Sequence, residues 1–266
     1  MPMPLSADQD APIVELARWL ATDPGRYALA WEQEQLDLQV GDVFGFYAMQ
    51  VGLPEIDGLR ANRIAFKGLV AEGLPAPAQR PRWTALAVAR AEDLPFDAQS
   101  LDLLVLPHTL ECSRDPHRVL REAERVLMPE GRLVITGFNP WSLWGAPPLL
   151  HWRTPFLPRG LRALSQARLR DWLELLSFDV GASRAGAYVP ACRSETWLRR
   201  WAFLEHAGER WWPFAGGLYV LSAIKRTAGL RIIGPAWKTQ KPARSAAAVA
   251  TTRVNTHARH GRGPIA

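Results

Sequence analysis

The sequence has few cysteines and no long apolar run. Its two cysteines, Cys112 and Cys192, are eighty positions apart, which is not the spacing of a zinc or iron–sulfur site, so we predict unpaired thiols and no metal. No segment reaches the roughly 18 apolar residues of a membrane helix. The first residues, MPMPLSADQDAP, lack the basic start and apolar core of a signal peptide. These absences predict a cytoplasmic protein without a membrane span.

Acidic residues are missing from the carboxyl-terminal end. From Lys225 onward there are nine Lys/Arg and no Asp/Glu, so the net charge of +6 belongs to the tail, and the residues before it carry 23 basic against 26 acidic side chains. Because residues 227–266 have low complexity and no core pattern, we predict a basic disordered tail. Its charge could attract nucleic acid or an anionic membrane. However, it lacks interleaved aromatic residues, so we expect no nucleic-acid partner.

The clearest structural pattern lies between residues 91 and 145. Residues 101–106 (LDLLVL) and 131–137 (GRLVITG) are apolar runs typical of strands buried on both faces. Between them, Asp115 can cap a helix that begins at Pro116. The apolar residues of that helix share one face: Val119, Leu120, Ala123, Val126 and Leu127. The pattern predicts a βαβ unit, whose ligands would lie beyond the carboxyl ends of its strands.

A series of short motifs spans residues 94–138: LPF, a strand beginning LD, then HTLE, DPH, REAERVL, PEG and RLVITGF. This series resembles the central half of the class I S-adenosylmethionine-dependent methyltransferases of the type 11 group. The resemblance implies an α/β, Rossmann-like three-layer sandwich with a mostly parallel seven-stranded sheet and an antiparallel last strand. It also implies S-adenosyl-L-methionine as cofactor and methyl transfer to a substrate, which we expect to be a small molecule.

We predict three regions along the chain. Residues 1–41 would form a helical cap from helices at 11–21 and 27–40, which either covers the cofactor, as is frequent in the family, or only packs against the sheet. Residues 42–226 would form the methyltransferase-like domain, followed by the tail 227–266. Within the domain we predict a helix over 161–177. The first strand and its glycine loop would lie within residues 44–53. Further strands are predicted at 63–66, 84–88, 178–180 and 217–225.

The resemblance implies cofactor contacts from Gly52, Ala91, Glu92 and His108. Gly52 stands after the first predicted strand, where the family has a loop with an acidic residue and two or three glycines that let the backbone approach the cofactor. Ala91 and Glu92 align with residues whose backbone touches the adenine ring. Only one glycine of the usual loop is present in the expected place.

Two basic residues stand near positions where the family has acids. Lys67 lies near the expected end of the second strand, where the family has a ribose-binding acid, and Arg90 aligns with an acid near the adenine amino group. If both side chains point into the site, they would favour an anionic ligand. This leaves two alternatives to an ordinary methyltransferase: an inactive fold that serves as a binding or scaffold protein, and an enzyme whose cofactor carries an extra negative group.

His108 and Glu111 are the predicted catalytic residues, because they follow the buried strand 101–106 at its carboxyl end. Methyl transfer requires an aligned nucleophile and, where that nucleophile is protonated, removal of its proton. His108 is therefore a candidate base, or a hydrogen-bonding partner of the substrate. The alternative is that His108 caps the strand end and Glu111 pairs with a neighbouring arginine.

Eight of the twelve tryptophans lie between Trp141 and Trp212. Seven of them are predicted in loops or short turns where this fold carries substrate-binding insertions: Trp141, Trp144, Trp152, Trp197, Trp201, Trp211 and Trp212. Such a group would suit an aromatic or lipophilic ligand. The alternative is that these side chains anchor long connectors to the sheet.

Overall fold

The computed structural model describes residues 12–142, 144–145, 157–158, 160–189, 208, 211–212 and 215–226. The chain divides into two compact units, Met1–Gly229 and Leu230–Ala266, and every described residue belongs to the first. The predicted tail, 227–266, lies outside the described residues, and so do Cys192, Trp152, Trp197 and Trp201. No helix within the described ranges is long and apolar enough to cross a membrane.

The strands of the described residues form one seven-stranded sheet. They are β1 (Tyr47–Val51), β2 (Phe66–Ala71), β3 (Ala85–Val88), β4 (Leu101–Pro107), β5 (Leu127–Phe138), β6 (Phe178–Gly186) and β7 (Leu218–Lys225). Their order is β3-β2-β1-β4-β5-β7-β6. Strands β1 to β5 pair in parallel, whereas β7 is antiparallel to both β5 and β6. This confirms the predicted mostly parallel sheet with a reversed last strand.

Five α-helices and one 3₁₀ turn accompany these strands in the described ranges. The helices are α1 (Pro12–Leu20), α2 (Asp23–Val40), α3 (Thr109–Cys112), α4 (Pro116–Val126) and α5 (Gln166–Leu175), and the 3₁₀ turn is Arg80–Arg82. Side chains alternate along β4, so Leu103 and Val105 face one core and Leu104 and Leu106 face another. The first core includes buried residues of α1 and α2, and the second includes those of α4 and α5. The predicted three-layer sandwich is therefore confirmed.

Side-chain caps fix where the helices begin. The Asp115 carboxylate accepts a hydrogen bond of 3.0 Å from the backbone N–H of Arg118, and α4 begins at Pro116 as predicted. Helix α2 begins at Asp23, four residues before its predicted start, because the Thr22 hydroxyl caps it by accepting from the N–H of Gly25. Helix α5 begins later than predicted, after the cap Ser165.

The prediction for the second strand, 63–66, was wrong. The amide nitrogen of Asn62 donates to the carbonyl oxygens of Val40 and Val43, and its side-chain oxygen accepts from the N–H of Ile64. These bonds hold the residues before β2 in a turn, so pairing with β1 begins only at Phe66. As a result, β2 ends at Ala71, and Glu72 is the first residue beyond its carboxyl end.

Candidate cofactor site

A cleft lies beyond the carboxyl ends of the first four strands. It is lined by residues that follow β1 (Gly52), β2 (Glu72), β3 (Ala89, Arg90, Ala91, Glu92) and β4 (Thr109, Cys112, Ser113, Arg114), and by Pro12 and Ile13 of α1. The strand order reverses between β1 and β4. Ligands of open α/β sheets bind at such a reversal point. The cap helix α1 therefore contributes to the cleft as well as packing on the sheet.

Gly52 lies where the backbone has to pass close to β4. Its φ is +102°, and its N–H donates a hydrogen bond of 2.8 Å to the carbonyl oxygen of Val70. A Cβ at this position would lie 3.0 Å from the Oγ1 of Thr109, which is closer than Cβ atoms normally approach. Glycine is therefore required here on both conformational and steric grounds, and its backbone stays open to the cleft.

The loop after Gly52 is held by a buried glutamine that sequence reasoning missed. The Gln50 amide nitrogen donates to the carbonyl oxygens of Leu53 (2.7 Å) and Ile56 (2.8 Å), and its side-chain oxygen accepts from the N–H of Gly58 (2.8 Å). Gln50 points inward from a strand otherwise occupied by apolar residues, which was the available sequence signal. Its three hydrogen bonds order the loop although only Gly52 stands in the expected glycine position.

Glu72 and Lys67 lie at opposite ends of β2. The exposed Glu72 follows the last residue of the strand and lines the cleft. Lys67 lies near the beginning of the strand, where its Nζ donates a hydrogen bond of 2.6 Å to the carbonyl oxygen of Asn62. The interpretation that Lys67 replaces the acid at the strand end was therefore wrong, since an acid does follow β2. The apolar run GLVA before Glu72 could have indicated the correct register.

Arg90 lines the cleft beside an acidic partner. Its side chain is 60% exposed, and its Nε lies 3.6 Å from the Oε2 of Glu92. Glu92 is buried, and its Oε1 accepts a hydrogen bond of 2.6 Å from the hydroxyl of Ser113. Ala91 lies between them and also lines the cleft. An anionic ligand would be favoured only if both Lys67 and Arg90 pointed into the cleft. Lys67 instead bonds to the carbonyl oxygen of Asn62, and the charge of Arg90 is offset by Glu92.

His108 and Glu111 belong to a fully buried network with Glu32 of α2. The Nδ1 of His108 lies 2.7 Å from a carboxylate oxygen of Glu111, and its Nε2 lies 3.2 Å from one of Glu32. The other oxygen of Glu111 accepts from the N–H of Phe138 (2.7 Å), and the other oxygen of Glu32 accepts from the hydroxyl of Thr136. Glu111 thus pairs with a histidine, not with the arginine considered above.

Burial acts in opposite directions on the pKa values of His108 and Glu111, the two predicted catalytic residues. Burial by itself would lower the pKa of His108, but the charge of Glu32 and the hydrogen bonds with Glu111 and Glu32 outweigh it and raise the pKa to about 10. Burial raises the pKa of Glu111, although its hydrogen bond with His108 opposes the change. Neither side chain is among the residues that line the cleft. A direct role of His108 or Glu111 in catalysis or cofactor binding stays a prediction.

Cys112 faces the cleft as an unpaired thiol. Burial, together with the nearby charges of Glu111 and Glu72, raises its pKa to about 12, so the thiol stays protonated at neutral pH. Among the residues that the structure describes, no group of three or more His, Cys, Asp or Glu side chains could hold a metal ion.

The described tryptophans of the predicted group fall into two kinds. Trp144 is buried, its Nε1 donates a hydrogen bond of 2.8 Å to the carbonyl oxygen of Val189, and its ring packs against Trp19. It anchors the chain after β5 to the cap. Trp141, Trp211 and Trp212 are 82%, 71% and 68% exposed. Trp144 is therefore an anchor, whereas a role of the exposed tryptophans in ligand binding stays a prediction.

Comparison with known proteins assigns the chain to the family that the motifs of residues 94–138 resemble. The family model "Methyltransferase domain" matches residues 70–135, from the end of β2 into β5. The "Uncharacterized protein YafS" of Escherichia coli K12 is 32% identical over 223 residues, which cover 83% of this chain and 85% of YafS. The chain is a class I S-adenosylmethionine-dependent methyltransferase of the type 11 group.

Two solved structures have the fold of this methyltransferase at low sequence identity. One chain comes from the complex of the Haloferax volcanii Trm112 methyltransferase activator with a methyltransferase; its TM-score is 0.58 at 17% identity, covering 81% of this chain and 97% of that one. The other is an S-adenosylmethionine-dependent methyltransferase from Thermotoga maritima, with a TM-score of 0.56 at 19% identity, covering 79% and 93%.

The residues of the cleft fit the cofactor of this methyltransferase, S-adenosylmethionine. A side chain at position 52 would fill the space beside Thr109, so the loop leaves backbone accessible where a ligand can approach. Glu72 supplies a carboxylate at the end of β2, where hydroxyl groups of a ribose would find an acceptor. Ala91 and Glu92 line the cleft beyond β3, next to this carboxylate along the sheet.

Proposed function

We propose that this methyltransferase acts on a small aromatic or lipophilic molecule while the cofactor lies in the cleft against Gly52, Glu72, Ala91 and Glu92. The observation that carries the substrate assignment is the exposure of Trp141, Trp211 and Trp212. Large exposed apolar side chains are typical of surfaces that bind apolar ligands. The substrate would then cover aromatic surface that is otherwise in water.

The positions of these tryptophans along the sheet support this proposal. Trp141 follows the carboxyl end of β5, and Trp211 and Trp212 precede β7. Because β7 is antiparallel to β5, with Phe138 opposite Leu218, the end of β5 and the beginning of β7 lie at the same edge of the sheet. This is also the edge from which the cleft opens. Cofactor and substrate would thus meet beyond the carboxyl ends of β4 and β5.

Four of the lining residues have different roles in the proposed cofactor site. Gly52 allows the backbone of the loop after β1 to approach the ligand, and Glu72 accepts hydrogen bonds from its ribose hydroxyls. Pro12 and Ile13 of α1 close one side and exclude water. When bound, S-adenosylmethionine supplies a methyl group on a sulfonium, already activated for in-line displacement. The protein then has mainly to align the substrate.

The proposal assigns no role as general base to His108. Both of its ring nitrogens are within hydrogen-bond distance of buried carboxylates, and the Cys112 thiol stays protonated because its pKa is raised to about 12. We therefore expect acceptors that need little help with deprotonation, such as aromatic amines or acidic phenols. His108 and Glu111 would instead hold the chain after β4 in position.

A methyl-transfer assay with radiolabelled S-adenosylmethionine tests the substrate proposal. The acceptors are a panel of aromatic amines and phenols together with polar amines of similar size. We expect transfer to aromatic acceptors, and a KM that rises roughly tenfold in Trp141→Ala and in Trp212→Ala, since each removes apolar contact area. Leu175→Ala is the control, because Leu175 is 84% exposed but lies at the end of α5, directly before the amino end of β6 at the opposite edge.

The outcomes distinguish the two parts of the proposal. Methylation of polar acceptors alone, or tryptophan variants with the KM of the Leu175 control, would overturn the assignment of an aromatic or lipophilic substrate. Absence of S-adenosylmethionine binding by the wild-type protein, measured calorimetrically, would overturn the assignment of the cleft as cofactor site.

A further inference from the structure

A buried charge network lies directly behind the wall of the cleft. In the short helix α3, Thr109 and Cys112 line the cleft, whereas Glu111 points into the interior and contacts His108. Glu32 reaches the same imidazole from α2. The side chains of all three residues are at most 1% exposed. The network is therefore separated from the cleft by the one turn of helix that forms its wall.

The hydrogen bonds fix the charge of this network. Each of its two contacts between an imidazole nitrogen and a carboxylate oxygen requires one proton, whichever of the two atoms carries it. The remaining oxygens of Glu32 and Glu111 accept from the hydroxyl of Thr136 and from the N–H of Phe138, so they need no proton. Two carboxylates and one imidazole that share two protons carry one net negative charge.

The described part of the chain does not neutralise this charge with a second cation. No Lys or Arg side chain bonds to Glu32 or Glu111 in the described ranges, and their partners besides His108 are neutral donors. A buried charge is poorly screened and acts over longer distances than a surface charge. Its field would therefore reach through α3 into the cleft and favour a positively charged ligand there.

We propose that the Glu32–His108–Glu111 network makes the cleft prefer the cationic cofactor over its neutral demethylated product, S-adenosylhomocysteine. This inference rests on the proposed function, since it requires the cofactor to occupy the cleft. The two ligands differ by one methyl group and the positive charge of the sulfonium. The network would thus promote exchange of product for fresh cofactor after each transfer, without contacting either ligand.

Calorimetric titration of the wild-type protein and of Glu32→Gln with both ligands tests the proposal. The substitution preserves the shape of the side chain and removes one carboxylate, so the network is neutral at about pH 6, where the imidazole of His108 keeps its proton beside Glu111. Two unit charges roughly 10 Å apart at an effective dielectric constant of about 20 change a binding constant by on the order of tenfold. We therefore expect affinity for S-adenosylmethionine to fall by about tenfold in Glu32→Gln, whereas affinity for S-adenosylhomocysteine changes less than about threefold.

Thr136→Ser is the matched control, because it trims the side chain next to Glu32 but keeps the hydroxyl that donates to its carboxylate, so the charge of the network is unchanged. It should alter both affinities by the same factor. An equal change for both ligands in Glu32→Gln would overturn the proposal, since that result indicates loss of structure and not loss of charge. Wild-type protein that binds neither ligand would instead overturn the proposed function itself.

Two measurements keep the proposal testable if Glu32→Gln does not fold, as judged by circular dichroism. Glu111→Gln removes the other carboxylate and should shift the ratio of the two affinities in the same direction. The wild-type ratio alone is also informative: binding of S-adenosylhomocysteine more than about tenfold tighter than binding of S-adenosylmethionine would contradict a charge-based preference for the cofactor.

Discussion

Thr109 and Val51 join the two strands between which the cleft opens. The Thr109 hydroxyl donates a hydrogen bond of 2.6 Å to the carbonyl oxygen of Val51, the last residue of β1, and Thr109 itself follows β4. The same hydroxyl is the atom nearest to a Cβ placed on Gly52. The junction of β1 with β4 and the opening of the cofactor cleft are therefore one packing arrangement, which a side chain at position 52 would disturb.

We expect Gly52→Ala to weaken binding of S-adenosylmethionine by more than about tenfold. The substitution places a Cβ 3.0 Å from the Oγ1 of Thr109 at a φ of +102°, and the conformational strain should also lower the free energy of unfolding by about 1–2 kcal/mol. Calorimetry and denaturant unfolding measure the two effects. Gly73→Ala is the control, since no atom lies within 4 Å of its Cβ position. Equal affinities in the two variants would remove Gly52 from the cofactor site.

Glu72 and Lys67 form a second matched pair for mutation. Glu72→Gln should reduce affinity for S-adenosylmethionine by about 10- to 100-fold, because hydrogen bonds to a carboxylate are stronger than those to an amide. Lys67→Met should change this affinity less than about twofold, since the Lys67 ammonium donates to the carbonyl oxygen of Asn62 at the other end of β2. A larger loss in Lys67→Met than in Glu72→Gln would favour the original interpretation of Lys67.

The sequence was informative where the physical signal is local. Helix α4 was predicted from its cap Asp115 and one apolar face, and both are present in the structure. Strand β2 was misplaced because its register depends on Asn62, whose amide reaches back to Val40 and Val43. The apolar run GLVA before Glu72 was a local signal for where the strand ends, but no local pattern indicates that the Asn62 side chain will bond to residues about twenty positions earlier.

The same distinction applies to the candidate site. Gly52 and Glu92 follow strands that could be recognised from the sequence, and both line the cleft. Glu72 was missed together with the register of β2. Glu32 is 76 residues from His108 and Thr136 is 104 residues from Glu32, so only the fold brings these three side chains together. Recognition of His108 as a candidate base depended on its position after β4, which does not reveal that both ring nitrogens have partners.

Trp144 and Trp141 are three residues apart but differ in burial, so they allow a direct comparison. Trp144→Ala should lower the free energy of unfolding by about 3–5 kcal/mol, because it leaves a cavity against Trp19 and removes the hydrogen bond to Val189. Trp141→Ala should change it by less than about 0.5 kcal/mol, since this side chain is mostly in water. Denaturant unfolding measures both values. Similar losses in the two variants would contradict the assignment of Trp144 as the anchor.

The raised pKa of His108 predicts how stability depends on pH. The pKa is raised from 6.5 to about 10 in the folded protein, so His108 binds its proton more tightly there than in the unfolded chain. The resulting stabilisation is fully present below about pH 6.5 and is lost as the pH rises through about 10. The free energy of unfolding should therefore decrease over this range.

Glu32→Gln isolates this contribution from the other groups that titrate at high pH. The variant lacks the carboxylate whose charge raises the pKa of His108, so its stability should depend less on pH than that of the wild type. Denaturant unfolding at about pH 6, 8 and 9.5 measures the free energy of unfolding of both proteins. The difference between the two free energies should narrow by more than about 1 kcal/mol as the pH rises. The attraction between His108 and Glu32 exists only while the imidazole is charged. A difference in the free energy of unfolding that stays constant with pH would therefore contradict the loss of a proton from His108 over this range.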